Sequence, residues 1–163
     1  MRIGVISDTH DNLEAVRRAA SIFAERKVSS ILHAGDWCAP FTMRTLVVDG
    51  CKVVGVYGNV DGERLMLRKT AEDMNYTIED FQTLELKGVR IALLHGTVEA
   101  IVEGLAKSNL YDLIVRGHTH KFEVKKIGNT VLVNPGEACG YLSGRKTAVI
   151  IDLPSIQIEV VEL

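Results

Sequence analysis

The sequence predicts an α/β fold in which two sheets pack together and are flanked by helices. Three observations predict it. In the first half of the chain, strand-like apolar runs alternate with helical patterns, and in the second half hairpin signals take over. The chain has 163 residues, 47% of them hydrophobic, enough to bury one sizeable core. We therefore expect a single domain over residues 1–163, with its site in the loops at the carboxyl ends of strands, where sheet proteins place functional groups. A purely parallel, doubly wound sheet is the alternative.

Taken in order, residues 2–7 form an apolar strand. A helix follows over 13–26, with Leu13, Val16, Ala20 and Phe23 at helical spacing and Asn12 as its N-cap. Residues 30–34 are a second strand. The segment 40–48 is a helix with Pro40 in its first turn. Residues 52–57 are a third strand, and 62–74 a charged helix turning Leu65, Met66 and Ala71 toward the core. Strands 83–87 and 90–94 then form a hairpin around Gly88-Val89. A helix over 98–107 and a short strand over 112–115 come next. Strands 122–127 and 130–133 flank Gly128-Asn129, a strong two-residue turn signal. The last pair, 146–153 and 156–161, turns at Pro154-Ser155.

Composition narrows the function classes. A formal net charge of -2 gives no strong nucleic-acid or anionic-membrane signal. No apolar run is long enough to span a bilayer. The opening Met1-Arg2-Ile3-Gly4-Val5-Ile6 reads as a strand rather than a leader, because Asp8, His10, Asp11 and Glu14 follow at once with no small-residue cleavage site. Cys38, Cys51 and Cys139 are odd in number and form no Cys-x-x-Cys pair, which argues against a disulfide framework or zinc ribbon and fits a cytoplasmic protein. Cys51 reads as a small core residue, while Cys38 borders the expected site.

The chemistry lies at the strand exits. Asp8 and His10 are two residues apart, so in extended backbone both side chains face one side and can reach one ion. His118 and His120, after Gly117, repeat that spacing. Gly35-Asp36 and Gly58-Asn59 end two more apolar runs, and His95-Gly96 ends another. Singly, each has an ordinary reading, as turn chemistry or as a core histidine. Together, all five strand exits carry nitrogen or oxygen donors, and only a binding role uses every one. Two carboxylates, four imidazoles and an amide suit borderline first-row ions better than an all-oxygen Mg²⁺ or Ca²⁺ cage.

This ordered set resembles the calcineurin-like metallophosphoesterase superfamily over nearly the whole chain. It is most similar to the small single-domain prokaryotic phosphodiesterases, whose endings resemble Asn134-Pro135-Gly136-Glu137 and Gly140-Tyr141-Leu142-Ser143-Gly144. The resemblance implies the metallophosphoesterase-like form of the two-sheet sandwich. It implies that Asp8, His10 and His120 hold one metal, that Asn59, His95 and His118 hold the other, and that Asp36 bridges them. Asp36, Asn59 and His95 would then act in catalysis through the metals. The implied cofactors are two divalent ions, Mn²⁺ or Ni²⁺ first, with Fe²⁺, Co²⁺ and Zn²⁺ as the other candidates. The implied reaction is hydrolysis of a small phosphodiester by a hydroxide held between ions roughly 3.5–4 Å apart. A phosphomonoesterase or nucleotidase on the same site is the alternative. A non-catalytic scaffold, like the retromer subunit of similar fold, is a third reading, and the complete ligand set argues against it. A homodimer is the expected assembly.

One block departs from the pattern. Many relatives read Gly-Asn-His-Glu, with the histidine taken as proton donor to the leaving alcohol, and this chain reads Gly58-Asn59-Val60-Asp61. Valine cannot donate a proton. Asp61 and Asp11 are the candidate substitutes, although both also read as turn residues. His33 lies inside a strand and reads as a core histidine or a hydrogen-bond partner of a ligand. Trp37 is expected to pack beneath the site, and Arg145 and Lys146 to be solvated loop charges.

Overall fold

The computed structural model describes residues 1–163. Eleven strands and four helices run in the order β1 (Arg2–Ile6), α1 (Leu13–Glu25), β2 (Ser30–His33), α2 (Pro40–Thr45), β3 (Lys52–Val56), α3 (Arg64–Asp73), β4 (Thr77–Glu79), β5 (Phe81–Leu86), β6 (Val89–Leu94), α4 (Glu99–Lys107), β7 (Leu113–Val115), β8 (Phe122–Ile127), β9 (Thr130–Pro135), β10 (Thr147–Asp152) and β11 (Gln157–Glu162). They form two mixed sheets, ordered β11-β10-β1-β2-β3-β4 and β5-β6-β7-β9-β8. Two separate sheets rule out the doubly wound alternative.

Strand periodicity explains the layering. In β1, Ile3 and Val5 enter the core between the sheets, where they meet Leu32, Val54, Ile91, Leu93, Leu113 and Val133. Ile6 faces the other way, into a cluster with Val16, Phe23, Trp37 and Leu67 under α1, α2 and α3. On the outside of the second sheet, Val102 and Ala106 of α4 cover Ala92, Ile114 and Leu132. The result is a helix–sheet–sheet–helix sandwich. The Asn12 side chain accepts the Ala15 N–H at 3.2 Å and so caps α1 as its sequence predicts.

Several elements differ from the sequence reading. Helix α3 buries Leu67, Thr70 and Ala71, while Leu65 is 86% and Met66 50% exposed. Leu65 sits two residues before Leu67, about 200° around the helix, so it faces solvent when Leu67 faces the core. Helix α2 ends at Thr45 rather than at 48. Strand β4 is only three residues long and gives no periodic signal, yet it pairs in parallel with β3, Val54 opposite Thr77. The β5–β6 turn is Lys87-Gly88, both at positive φ (53° and 78°), and Val89 instead opens β6 as a buried strand residue.

The parallel strands set the site. The carboxyl ends of β1, β2 and β3 lie along one rim of the first sheet, and those of β6 and β7 along one rim of the second. Backbone bonds bind the loops within each rim, from Asp8 N to Gly35 O (3.0 Å) and from Gly117 N to His95 O (3.1 Å). The two rims are joined as well, because the His118 N–H donates to the Asp8 carboxylate at 3.2 Å.

Candidate metal centre

Five of the seven predicted donors sit on backbone in the left-handed region: Asp8 (φ 51°), His10 (40°), Asp36 (59°), His118 (71°) and His120 (58°). Such a φ is uncommon outside glycine and costs roughly 1–2 kcal/mol per residue, although Asp, Asn and His tolerate it better than most. Strain of this kind persists where the surroundings over-determine it, and it collects at functional sites. It also corrects the expectation of extended backbone. Asp8 and His10 do converge, but through tight left-handed turns. His118 and His120 use the same device to diverge.

The donors gather in two adjoining groups. Asp8, His10, Asp36 and His120 each offer a donor atom, all within 4.8 Å of one another. In the second group, Asn59 Oδ1 lies 2.9 Å from His95 Nε2 and 2.9 Å from His118 Nδ1. Asp36 joins them, since its Oδ2 is 3.5 Å from His10 Nε2 and 3.3 Å from His95 Nε2. All seven predicted residues thus lie close together, in two groups that Asp36 adjoins.

The residues fit bound divalent ions. His10 Nε2 is buried and has no hydrogen-bond partner, a costly state for a polar atom unless something else satisfies it. Asp8 and Asp36 are almost fully buried as well. Burial lifts the Asp8 carboxyl above its ordinary range. Burial also opposes the charge on Asp36, but the neighbouring His95 outweighs it and draws that carboxyl down. The backbone leaves room for no larger residue at two points. A Cβ at Gly58 would fall 2.0 Å from Asp36 Oδ1, and one at Gly117 would fall 2.7 Å from Asp8 Oδ2.

Surrounding groups orient the imidazoles. His95 Nδ1 donates to Ala34 O at 2.7 Å, which turns Nε2 toward Asp36 and Asn59. His120 Nδ1 donates to Glu137 Oε2 at 2.7 Å, which turns its Nε2 toward Asp8. Glu137 is fully buried and also accepts from the Leu142 amide (3.0 Å), the Ser143 amide and Cys139 Sγ (3.0 Å). Burial alone would raise its pKa, but these donors bring it down to about 2. His33 is held neutral by burial, which lowers it well below its ordinary value. The Gly35 N–H donates to its Nδ1 at 3.2 Å, so Nε2 carries the proton and donates to Thr9 Oγ1 at 3.1 Å, and Thr9 passes the chain to Asp36 O. The His33 ring stacks on Trp37 at 3.4 Å between centroids, and the buried Trp37 donates to Val56 O from beneath the site.

The candidate proton donors are committed elsewhere. Asp61 is buried and accepts the amides of Asp36 (3.1 Å), Cys38 (2.8 Å) and Gly58 (2.7 Å), tying the loops after β2 and β3 together. Asp11 accepts from Ala39 N and Thr42 Oγ1 at the start of α2. Val60 is 43% exposed beside Asn59. Cys38 borders the site, with its sulfur 3.6 Å from His10 Nδ1. Arg145 pairs with exposed Glu162.

Sequence reasoning did not identify the supporting roles of three residues, although Asn134 and Glu137 lie within the family-like ending. Arg116 is 1% exposed, pairs with Glu99, and donates to Gly96 O (2.9 Å) and Gly117 O (3.2 Å), clamping the loops that carry His95 and His118. A lone charge ending the buried run Leu113-Ile114-Val115 was a readable signal for it. Asn134 donates to Gly117 O and to Thr119 Oγ1, both at 2.9 Å. Glu137 sits 17 residues from His120, and no spacing rule connects the two.

Comparison with known proteins agrees with this fold. The model of the calcineurin-like phosphoesterase superfamily domain matches residues 1–155. The chain is 36% identical over 154 residues to a phosphodiesterase of Methanocaldococcus jannaschii, covering 93% of each sequence. The solved structure of an archaeal phosphodiesterase superposes over 100% of both chains with a TM-score of 0.94 at 34% identity. Two more distant structures share the fold. Vps29 of Chaetomium thermophilum has a TM-score of 0.71 at 18% identity, covering 99% of this chain and 96% of its own, and the phosphoesterase YfcE of E. coli has 0.71 at 20%, covering 99% and 98%. On the family match, which spans nearly its whole length, this chain belongs to the calcineurin-like phosphoesterase superfamily.

Proposed function

We propose that the protein is a phosphodiesterase that hydrolyses a small phosphodiester at a dinuclear centre within one domain. The observation that carries this reading is the convergence of six donors from both sheets around a seventh, Asp36, with the buried His10 Nε2 left without a hydrogen bond. Asp8, His10 and His120 would hold one ion, Asn59, His95 and His118 the other, and Asp36 both. The donor chemistry supports first-row divalent ions, and the family resemblance makes Mn²⁺ or Ni²⁺ the preferred pair, ahead of Fe²⁺, Co²⁺ and Zn²⁺. When bound, the ions supply Lewis acidity toward phosphoryl oxygens and lower the pKa of water. The chain's own residues prepare that chemistry. Asn59 is neutral, so it does not repel an anionic ester as a further carboxylate would. His95 and His120 are fixed with one nitrogen inward by Ala34 and Glu137. With Val60 in the loop and Asp61 held by three amides, no side chain is assigned as general acid.

The 36% identity to a protein named as a phosphodiesterase supports a diester rather than a monoester as the substrate of this chain. We further infer a cytoplasmic homodimer. Three free cysteines support the location, and exposed Phe41 (65%) and Leu65 (86%) support contact with a second copy. No helix is long and apolar enough to cross a membrane. The test is hydrolysis of bis(p-nitrophenyl) phosphate and p-nitrophenyl phosphate by metal-stripped protein with Mn²⁺ or Ni²⁺ restored. Metal-dependent turnover that favours the diester and is lost in His118→Ala is expected. Preference for the monoester would make it a phosphatase, and metal binding without turnover would make it a scaffold.

A further inference from the structure

Beside the donors lies a cleft of about 480 Å³, within the range of small-molecule sites. Asn59 and His95 are among its lining residues, so it adjoins the proposed centre. The rest comes from the loop after β3 that carries Asn59, the first residue of α3, the start of β5, the end of β6 with the loop that follows His95, and α4.

Its walls are apolar and uncovered. Phe81 is 42% exposed, Val98 53% and Ile101 55%, with Leu94 and Leu105 behind them. Scattered exposed apolar residues need no explanation, but three of them around one concavity do. The polar lining is also flat. The Arg64 guanidinium lies 4.3 Å from the Tyr57 ring centroid, stacked on it, and its charge is paired with Asp80. Arg64 therefore presents a planar, largely neutralised surface rather than a free anion site.

We propose that this cleft is the subsite for a flat aromatic group esterifying the phosphate, an aryl or a nucleoside group, seated against Phe81, Val98 and Ile101. The assignment rests on the phosphodiesterase reading for the position of the phosphoryl group. The cleft's continuity with Asn59 and His95 places an ester substituent there once the phosphoryl group is at the donors.

The test separates the two readings. Calorimetric titration of the metal-loaded protein with methylphosphonate reports the centre alone, and phenylphosphonate adds the ring. Phenylphosphonate is expected to bind about tenfold or more tightly, as burial of a ring predicts. Phe81→Ala and Ile101→Asp are expected to erase that preference and leave methylphosphonate affinity unchanged. Both side chains are half-exposed, so folding is preserved, which circular dichroism verifies. A nucleoside 5′-phosphonate serves as a third arm. If it binds more tightly than phenylphosphonate and is equally sensitive to Ile101→Asp, the seated group is a nucleoside, and the reverse order makes it an aryl group. Ligand-observed NMR with 4-nitrophenol, which has no phosphoryl group, probes the cleft alone. Saturation transfer to 4-nitrophenol that is lost in Ile101→Asp, with neither phosphonate bound, would keep the cleft and reject the phosphodiester centre. Equal affinity for the two simple phosphonates, a preference that survives both substitutions, or dissociation of a dimer by Ile101→Asp would overturn the proposal.

Discussion

At the scale of single residues, the support of the donors matters as much as the donors. Glu137 touches no predicted donor atom pointing into the site, only the far nitrogen of His120, yet it is fully buried and held by several further donors. Partners of this kind typically govern metal affinity by about 10–100-fold. Glu137→Gln removes the charge and half of the accepting capacity, so calorimetric metal affinity is expected to fall by about that factor while the circular dichroism spectrum is retained. Unchanged affinity would reduce Glu137 to a loop anchor. Val60 supports a second expectation. General acids contribute about 10²–10⁴-fold, mostly for poor leaving groups, so without one the rate should depend steeply on leaving-group pKa. Across a series of substituted aryl methyl phosphates, a steep linear free-energy slope is expected, made shallower by Val60→His. A shallow slope in the unmodified protein would show that some other group donates the proton.

At the scale of elements, the clearest contrast is within α3. Leu67 is fully buried under the first sheet and Leu65 is 86% exposed. Leu67→Ala is expected to cost about 2–5 kcal/mol by the cavity it leaves, and Leu65→Lys to stay within about 0.5 kcal/mol. Urea denaturation distinguishes them, and equal costs would mean that the face of α3 is misassigned. The same helix shows what the sequence made legible. Strong periodicity revealed α1 with its Asn12 cap, and Gly128-Asn129 revealed the β8–β9 hairpin. In α3 the sequence pointed correctly to Ala71 but favoured Leu65 and Met66 over Leu67 and Thr70 for the rest of the stripe, because hydrophobicity alone does not fix the phase of a short charged helix. Strand β4 was unreadable because its stability comes from pairing with β3 rather than from its own pattern. The donors were legible because each sits at a strand exit. Their conformations were not, because left-handed turns at Asp8, His10 and His120 arise from contacts between distant loops.

At the scale of the whole molecule, the donors couple the two sheets. Asp8 and Asp36 leave the first sheet, His95, His118 and His120 leave the second, and direct contacts such as the His118 amide on the Asp8 carboxylate cross between them. Two nearly fully buried carboxylates at this junction are costly unless a cation is close. An ion that binds the folded chain and not the unfolded one adds stability of about 2.7 kcal/mol at a hundredfold excess over its dissociation constant. For a chain of this length that corresponds to a rise in Tm of about 5–10 °C. Calorimetric scans with Mn²⁺ or with a chelator are therefore expected to differ by this amount, with a shift that grows logarithmically with metal concentration. Asp36→Asn weakens the one group that faces both donor sets, so most of the shift should disappear. If the two scans coincide at saturating metal, the folded and unfolded chains bind the ion alike, and the junction between the sheets is held by its hydrogen bonds and apolar core alone.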